Sequence, residues 1–311
     1  MEHYSVLLNE VIEGLNIREQ GIYVDGTLGR GGHSSEILKR LSTGHLYSFD
    51  IDDEAFEASR SRLSQISDNF TLIKANFADM KEELNNRGIY GVDGILLDIG
   101  VSSPQFDEAG RGFSYRYEDS RLDMRMDRSQ SLDAYQVVNE YDYSDLVRIF
   151  YRYGEETYAK QIARKIENER AKAPIETTGQ LVEIIRSALP SKVVNRHKHP
   201  AKKVFQAIRI EVNGELENLE RGLQSALDLL NPCGRLAVIS FHSLEDQIIK
   251  NTFKTASQPP HFDKRIPVKE KDIALPEFQL ITRKPITAGE AELQENHRSH
   301  SAKLRIIEKR G

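Results

Sequence analysis

One stretch constrains this chain more than any other: Ile22-Tyr-Val-Asp-Gly-Thr-Leu-Gly-Arg-Gly-Gly-His33. A β-branched and aromatic run breaks into glycines. It then leads into Ser34-Ser-Glu-Ile-Leu-Lys-Arg-Leu41, where Ile37, Leu38 and Leu41 share one helical face. The reading is strand, tight turn, helix. Glycines let backbone approach a ligand closely, and the first turn of a helix offers N–H groups that have no partner within it. The dinucleotide fingerprint G-x-G-x-x-G is incomplete, because Ser34 stands where its last glycine belongs. An acid, Asp25, closes the strand instead, and Gly29 and Gly31 follow it at alternate positions. At this point a ligand-binding turn and a turn whose glycines serve backbone geometry alone are both open.

The residues that follow favour the ligand. His45-Leu-Tyr-Ser-Phe-Asp-Ile-Asp52 reads as a second strand ending in acids. Asp50 follows Gly29 at close to the ~20 residues that separate a glycine turn from a ribose-binding carboxylate. Asp52 and Asp53 suit the start of the next helix, with Asp52 as its cap. Phe70 to Phe77 and Val92 to Asp98 supply a third and a fourth strand, with a helix from Ala78 to Asn86 between them. Strands alternating with helices predict a parallel, doubly wound α/β sheet, whose ligand lies outside the carboxyl ends of the strands at the topological switch point. Asp25, Asp50, Phe77 and Asp98 all fall at such ends. An aromatic at Phe77 can lie against a purine or simply pack in the core. A nucleoside-type ligand is expected, which leaves an NAD-dependent oxidoreductase as a rival to an S-adenosylmethionine (SAM) enzyme. Ahead of the sheet, His3 to Leu15 reads as a lead-in helix with Val6, Leu7, Val11 and Ile12 on one face, and His3 as a solvated or capping residue.

Composition sets limits on what else the chain does. Its 311 residues suffice for a full α/β domain and an addition, and 39% hydrophobic with 29% charged residues describes a globular protein. A net charge of −5 gives no global sign of nucleic-acid binding, so any such surface must be local. A single cysteine excludes an internal disulfide framework, and no Cys/His group has zinc spacing, so no metal is expected. Met1-Glu-His-Tyr-Ser-Val-Leu-Leu lacks both a basic region and a long apolar core, and no apolar run approaches the ~20 residues of a membrane span. The expectation is a cytoplasmic protein without a membrane partner.

After Asp98 the alternation stops. Gly110 to Ser131 is thick with Arg, Asp and Gly, yet it carries Phe113, Tyr115, Leu122, Met124 and Met126, which favours an ordered lid over disorder. Asp142 to Leu189 reads as helical, with Tyr158, Ala159, Ile162, Ala163 and Ile166 in one stripe and Leu181, Ile184, Ile185 and Leu189 in the next. Lys192 to Arg209 holds six Lys or Arg and two His without an acid. Such a run suits phosphate contacts better than a plain solvated face. The sheet pattern then resumes with a helix from Glu215 to Leu230, a strand from Arg235 to His242, a helix capped by Ser243, and a final pair of strands at Phe278–Thr282 and Ala302–Ile307. The expected organisation is a sheet domain over 1–110 and 210–311, with a lid and an inserted all-helical substrate-recognition domain over 111–209.

Taken together the motifs are specific. They are Asp25-Gly-Thr-Leu-Gly-Arg-Gly-Gly-His33, Leu97-Asp-Ile-Gly-Val-Ser-Ser-Pro-Gln105, Leu122-Asp-Met-Arg-Met-Asp127, His199-Pro-Ala, Phe205-Gln-Ala-Ile-Arg-Ile-Glu-Val-Asn213 and Ser240-Phe-His-Ser-Leu-Glu-Asp246. The chain resembles, nearly end to end, the bacterial 16S ribosomal RNA (cytosine-N4)-methyltransferases. Its first turn is similar to the acid-x-Gly-x-Gly-x-Gly turn of class I SAM methyltransferases, with Thr27 at the first glycine. The resemblance implies a Rossmann-like class I sheet and transfer of a methyl group from SAM to N4 of a cytidine in the decoding region of the 30S subunit. It also implies cofactor contacts at Gly31, Gly32, His33, Asp50, Phe77, Asp98 and Gln105, with Phe77 and Asp98 flanking the base. For the RNA phosphates the basic insertion offers Lys202, Lys203 and Arg209. A homodimer is among the assemblies the sequence allows.

The N4 lone pair is delocalised into the ring, so the reaction needs an acceptor that orients N4–H and in-line approach to the methyl group. It needs neither a metal nor a covalent intermediate, and Cys233, in the turn before the fifth strand, reads as a structural residue. Many amino-methylating enzymes carry Asp/Asn/Ser-Pro-Pro-Tyr at the end of strand four. Here Ser103-Pro104-Gln105-Phe106 comes several residues later, so Asp98, Ser102 or a nearby carbonyl is open as the acceptor, with Asp98 taken as the catalytic candidate. His242, at the end of the fifth strand, faces the pocket, caps a helix or packs. A non-catalytic RNA-binding assembly factor is the remaining alternative.

Overall fold

The runs that lead to Asp25, Asp50 and Asp98 lie side by side. In the computed structural model, which describes residues 5–100, 108–194, 199–259 and 275–311, the strands are β1 (Ile22–Asp25), β2 (His45–Asp50), β3 (Phe70–Lys74), β4 (Val92–Asp98), β5 (Leu230–Ser240), β6 (Phe278–Leu280) and β7 (Lys303–Lys309). They form one sheet in the order β3-β2-β1-β4-β5-β7-β6. The pairs from β3 through β5 are parallel, and β7 runs antiparallel to both β5 and β6. The chain leaves β1 on one side to make β2 and β3, then returns to place β4 on its other side. That reversal opens a crevice at the carboxyl ends of β1 and β4.

The longer helices are α1 (Leu8–Leu15), α2 (Gly32–Leu38), α3 (Asp53–Ser64), α4 (Met80–Asn85), α5 (Ala134–Glu140), α6 (Tyr143–Arg152), α7 (Ala159–Arg170), α8 (Thr178–Ala188), α9 (Lys202–Asn213), α10 (Glu215–Leu229), α11 (Ser243–Ala256) and α12 (Glu290–Glu295). Among the described residues no helix is long and apolar enough to cross a membrane. The strand period of two sends alternate side chains to opposite faces of the sheet. Ile95 and Leu97 join Val24, Phe49 and Ile73 against Leu219, Leu223 and Leu227 of α10 and Ile249 and Phe253 of α11. Leu96 points the other way, into a cluster with Val11, Ile12 and Leu15 of α1, Ile37 and Leu38 of α2, and Leu63 of α3. Each fully buried Leu or Ile on these faces contributes on the order of 1.5–3 kcal/mol.

Two compact units result: Met1–Gly100 with Glu217–Gly311, and Val101–Leu216. The second is helical, with α5 and α8 each opened by a capping box, Asp133 with Gln136 and Thr177 with Gln180. The limits drawn from sequence at 110 and 209 fall inside this unit. Ile208 and Val212 continue one buried stripe of α9, so the helix cannot be cut at 209.

The segment from Arg111 to Asp127 is part of the helical unit's own core. Phe113, Leu122 and Met124 are buried in it. The Arg111 guanidinium donates to the carbonyls of Arg125 and Met126, while Asn213 accepts from Met126 N and donates to Met124 O. These bonds staple the segment into the helical unit.

Local differences from the sequence reading have local causes. Helix α2 starts at Gly32, two residues before Ser34, because Gly31 takes the left-handed turn at φ +72°. Strand β3 stops at Lys74, and the Asn76 side chain accepts from Ala78 N to start a short 3-10 turn, Phe77–Asp79. Helix α7 starts at Ala159 because Glu155 has φ +48°. The cap of α11 is His242, not Ser243: its ring accepts from Glu245 N, and the Glu245 carboxylate accepts from Phe241 N and His242 N.

Candidate functional site at the strand ends

Asp25 is 1% exposed and organises the turn after β1. Its Oδ1 accepts from Thr27 N at 3.1 Å, and its Oδ2 accepts from Ser34 Oγ at 2.7 Å. Ser34 Oγ lies 2.9 Å from Ser48 Oγ on β2, so the carboxylate anchors turn, helix and neighbouring strand together. Thr27, the departure from the glycine pattern, is used in its own right. Its Oγ1 accepts from Asp98 N at 2.7 Å, which ties the turn to the end of β4. Gly29 and Gly31 sit at φ +48° and +72°. A Cβ on Gly29 would meet almost nothing, so the backbone angle is what demands glycine there.

Asp50, at the end of β2, accepts from Gly29 N at 2.9 Å through Oδ2, and from Ile51 N and Asp52 N at 2.8 and 3.0 Å through Oδ1. Burial pushes its pKa up to about 6, against the pull of those backbone donors. Each carboxylate oxygen carries two lone pairs, so Oδ2 keeps one for a further donor.

Phe77 is half-buried beyond the end of β3, with its ring packed against α10 at Gly222. A Cβ at Gly222 would overlap ring atoms Cδ2 and Cε2. Asp98 ends β4. Its Oδ1 is buried and has no hydrogen-bond partner among the described residues. Its Oδ2 lies 3.9 Å from Nδ1 of His33, beyond hydrogen-bond length. Burial raises the Asp98 pKa, His33 and Arg298 pull it down, and the charges of Asp25 and Glu245 push it up. His33 is 5% exposed, and its Nε2 lies 3.0 Å from the Val6 carbonyl. A carbonyl only accepts, so Nε2 carries the hydrogen.

Thus Gly31, Gly32, His33, Asp50 and Asp98 gather around the ends of three adjacent strands, with Phe77 past the fourth. His3, Ser102 and Gln105 lie outside the described residues. Cys233 is exposed at φ +63°, at the amino end of β5, away from the strand ends that form the crevice. In the helical unit Lys202 and Lys203 are exposed at the start of α9, and Lys203 Nζ donates to Glu155 O. Arg209 instead makes a two-pronged pair with Glu215 at 2.7 and 2.9 Å, with 13% of its side chain exposed. Sequence reasoning missed Thr27 Oγ1, Ser34 and Gly222. Only Thr27 carried a visible signal, as the residue that broke the glycine pattern.

This sheet order, with an antiparallel β7 inserted beside β5, and this glycine turn with its strand-end acids define a class I methyltransferase. The site suits a nucleoside cofactor: Asp50 keeps a lone pair, Asp98 holds a buried oxygen without a partner among the described residues, and the turn between them has glycines at 29, 31 and 32. Comparison with known proteins is more specific. The model of the MraW methylase family matches residues 1–310, and the chain belongs to that family. It is 57% identical over 308 residues to a protein of Exiguobacterium sibiricum named ribosomal RNA small subunit methyltransferase H, covering 99% of this chain and 98% of that one. It is 55% identical over 311 residues to the protein of the same name from Lactiplantibacillus plantarum, covering 99% and 97%.

The contact between Phe77 and Gly222 gives a test of how the aromatic is held. Gly222→Ala adds about 1 kcal/mol of helix propensity but overpacks the ring, at a cost of about 1–3 kcal/mol. It is expected to destabilise the wild type in urea unfolding and to stabilise a Phe77→Leu background, where the clash is relieved. Equal effects in both backgrounds would show that the ring does not depend on the glycine.

Proposed function

We propose that the chain transfers a methyl group from SAM to the exocyclic N4 of a cytidine in the decoding region of 16S ribosomal RNA. The end-to-end match to relatives named small subunit rRNA methyltransferases carries this reading. It leaves the NAD-dependent reading of the turn without support. SAM, when bound, supplies an electrophilic methyl group on its sulfonium.

The strand order supports the following roles. Asp50 and Phe77 lie beyond β2 and β3, on one side of the β1 turn; Asp98 lies beyond β4, on the other. Asp50 Oδ2 takes a ribose hydroxyl, Phe77 lies against the base, and Gly31, Gly32 and His33 line the turn between. Asp98 then serves the reacting end rather than the base, which departs from the flanking role implied by resemblance. Its unpartnered Oδ1 accepts N4–H and helps localise the lone pair on nitrogen. A carboxylate with a raised pKa is also the better proton acceptor once the nitrogen has been methylated. Gln105 is proposed as a further cofactor contact on resemblance alone.

The helical unit is the proposed substrate-recognition part, with Lys202 and Lys203 on RNA phosphates. Arg209 is committed to Glu215, so it serves that contact by holding α9 rather than by reaching phosphate.

Methyl transfer from labelled SAM to small subunits that lack the modification is expected to yield N4-methylcytidine on nucleoside analysis. Label in another nucleoside would overturn the assignment of the reacting atom, and SAM binding without any transfer would favour the assembly-factor reading.

Asp50 makes cofactor affinity depend on pH. Ribose hydroxyls donate to its ionised form, so affinity should rise as pH climbs through about 6 and level off above 7. Asp50→Asn should weaken binding at pH 7.5 by roughly 1.5–3 kcal/mol and flatten the step. Folding runs the other way. The folded pKa lies above the ordinary aspartate value of 3.8, so this group's contribution to stability is full below that value and is lost as pH rises through about 6. Titration calorimetry across pH 5–8 checks the first sign, and urea unfolding over the same range checks the second.

Replacing Lys202 and Lys203 by Gln should weaken RNA binding and reduce the slope of log affinity against log salt by about 0.7–0.9 for each phosphate no longer neutralised. An unchanged slope would place the RNA elsewhere.

A further inference from the structure

The residues just before α1 are held in a conformation that their own sequence does not favour. Leu7 is fully buried and left-handed at φ 53°, ψ 37°, and caps α1 without any side-chain hydrogen bond. A side-chain-bearing residue rarely adopts that conformation unless its surroundings impose it. The imposing group is Glu292, 285 residues away on α12. Its Oε1 accepts from Leu7 N at 2.9 Å and from Ser299 Oγ at 2.5 Å. Ser299 is itself 1% exposed, so two buried residues hold the same carboxylate oxygen.

What Glu292 fixes leads to the crevice. The peptide carbonyl directly before Leu7 N belongs to Val6, and that carbonyl takes the Nε2 hydrogen of His33 at 3.0 Å. The two bonds act on one peptide group, its N–H pulled by Glu292 and its C=O by His33. With the hydrogen on Nε2 given to the Val6 carbonyl, the ring is turned so that Nδ1 faces Asp98, 3.9 Å from its Oδ2. The neighbouring Ser5 lies against Gly32, where any Cβ would overlap Ser5 Oγ. The same segment therefore rests on the glycine turn and orders the imidazole behind it.

We propose that Glu292 is a positioning residue for the methyl-transfer site: it locks the Val6–Leu7 peptide, and through it the tautomer and orientation of His33 beside Asp98. The link to catalysis rests on the proposed role of Asp98, whereas the lock on His33 does not.

The test uses the full-length protein with Glu292→Leu, which cannot accept a hydrogen bond, and Glu292→Gln, whose side-chain carbonyl can. Nitrogen-15 spectra of the imidazoles, with His33 assigned by a His33→Gln variant, report the tautomer. In the wild type and in Glu292→Gln, His33 is expected as the Nε2–H form. In Glu292→Leu it is expected to average between tautomers, with SAM affinity reduced about tenfold and kcat reduced further. Ser299→Ala, which leaves Leu7 N its acceptor but loosens the carboxylate, should fall between. A folded Glu292→Leu with an unchanged His33 spectrum overturns the proposal, as does a Glu292→Gln that behaves like Leu. Asp98→Asn separates the two claims: if it methylates normally while the His33 spectrum still follows Glu292, the reading of Asp98 fails and the lock stands.

Discussion

The crevice depends on one buried carboxylate. Asp25 sits at 1% exposure, where an ionised group without partners would cost far more than any single contact supplies. It is tolerated because Thr27 N and Ser34 Oγ meet its two oxygens, and Ser34 in turn reaches Ser48 on β2. That arrangement makes the turn rigid in a way glycines alone cannot. Gly29 and Gly31 permit left-handed backbone but do not choose it; Asp25 on one side and Asp50, through Gly29 N, on the other do the choosing. Remove Asp25, and Thr27 N loses its acceptor while Ser34 is left with Ser48 alone among the described residues.

Thr27 shows how a broken motif can be a stronger device than an intact one. A glycine at that position would leave Asp98 N without the acceptor it has in Thr27 Oγ1. With Thr27 in place, the end of β4 is bonded directly to the turn after β1, across the switch point where the sheet opens. The position of the Asp98 carboxylate is then set by β-ladder and side chain together, which suits a group whose Oδ1 is buried and without a partner among the described residues. Buried polar atoms are nearly always satisfied, and this supports the proposed contact of Asp98 with a ligand donor.

Legibility followed the range of the interactions involved. The strands, their acids and the glycine turn were readable because apolar period, strand-end carboxylates and positive-φ glycines are local signals. The inserted helices were readable for the same reason, from stripes such as Ile162, Ala163 and Ile166. What sequence could not show was who meets whom across long separations. Gly222 looks like a weak point in α10 until Phe77 is placed on it. Glu292 looks like one more surface acid until Leu7 N is found on it. The apolar residues of Arg111 to Asp127 show that the segment is ordered, but not that Asn213, some 87 residues downstream of Met126, staples it. The cap of α11 was misjudged by one residue because Ser is the commoner cap, while His242 can accept through a ring nitrogen.

The basic insertion raises a question of sign, since the chain as a whole is at −5. Many cations elsewhere are neutralised locally. Arg40 and Lys39 pair with Glu36, Arg87 with Glu83, Arg164 with Glu167, and Lys165 and Lys172 with Glu169, all within one helical turn. Such pairs contribute little to stability, but they cancel field. Arg209 belongs with them, through Glu215. Lys202 does not, for it is exposed and meets no acid among the described residues. An attractive field for phosphate comes from cations that local acids leave uncancelled, not from the sum over the sequence. On that ground a net acidic protein can still present a confined cationic surface at the start of α9. The useful prediction from charge is therefore positional: neutralising Arg209 should be felt as poorer packing and a broken ion pair, and neutralising Lys202 as weaker affinity for a polyanion.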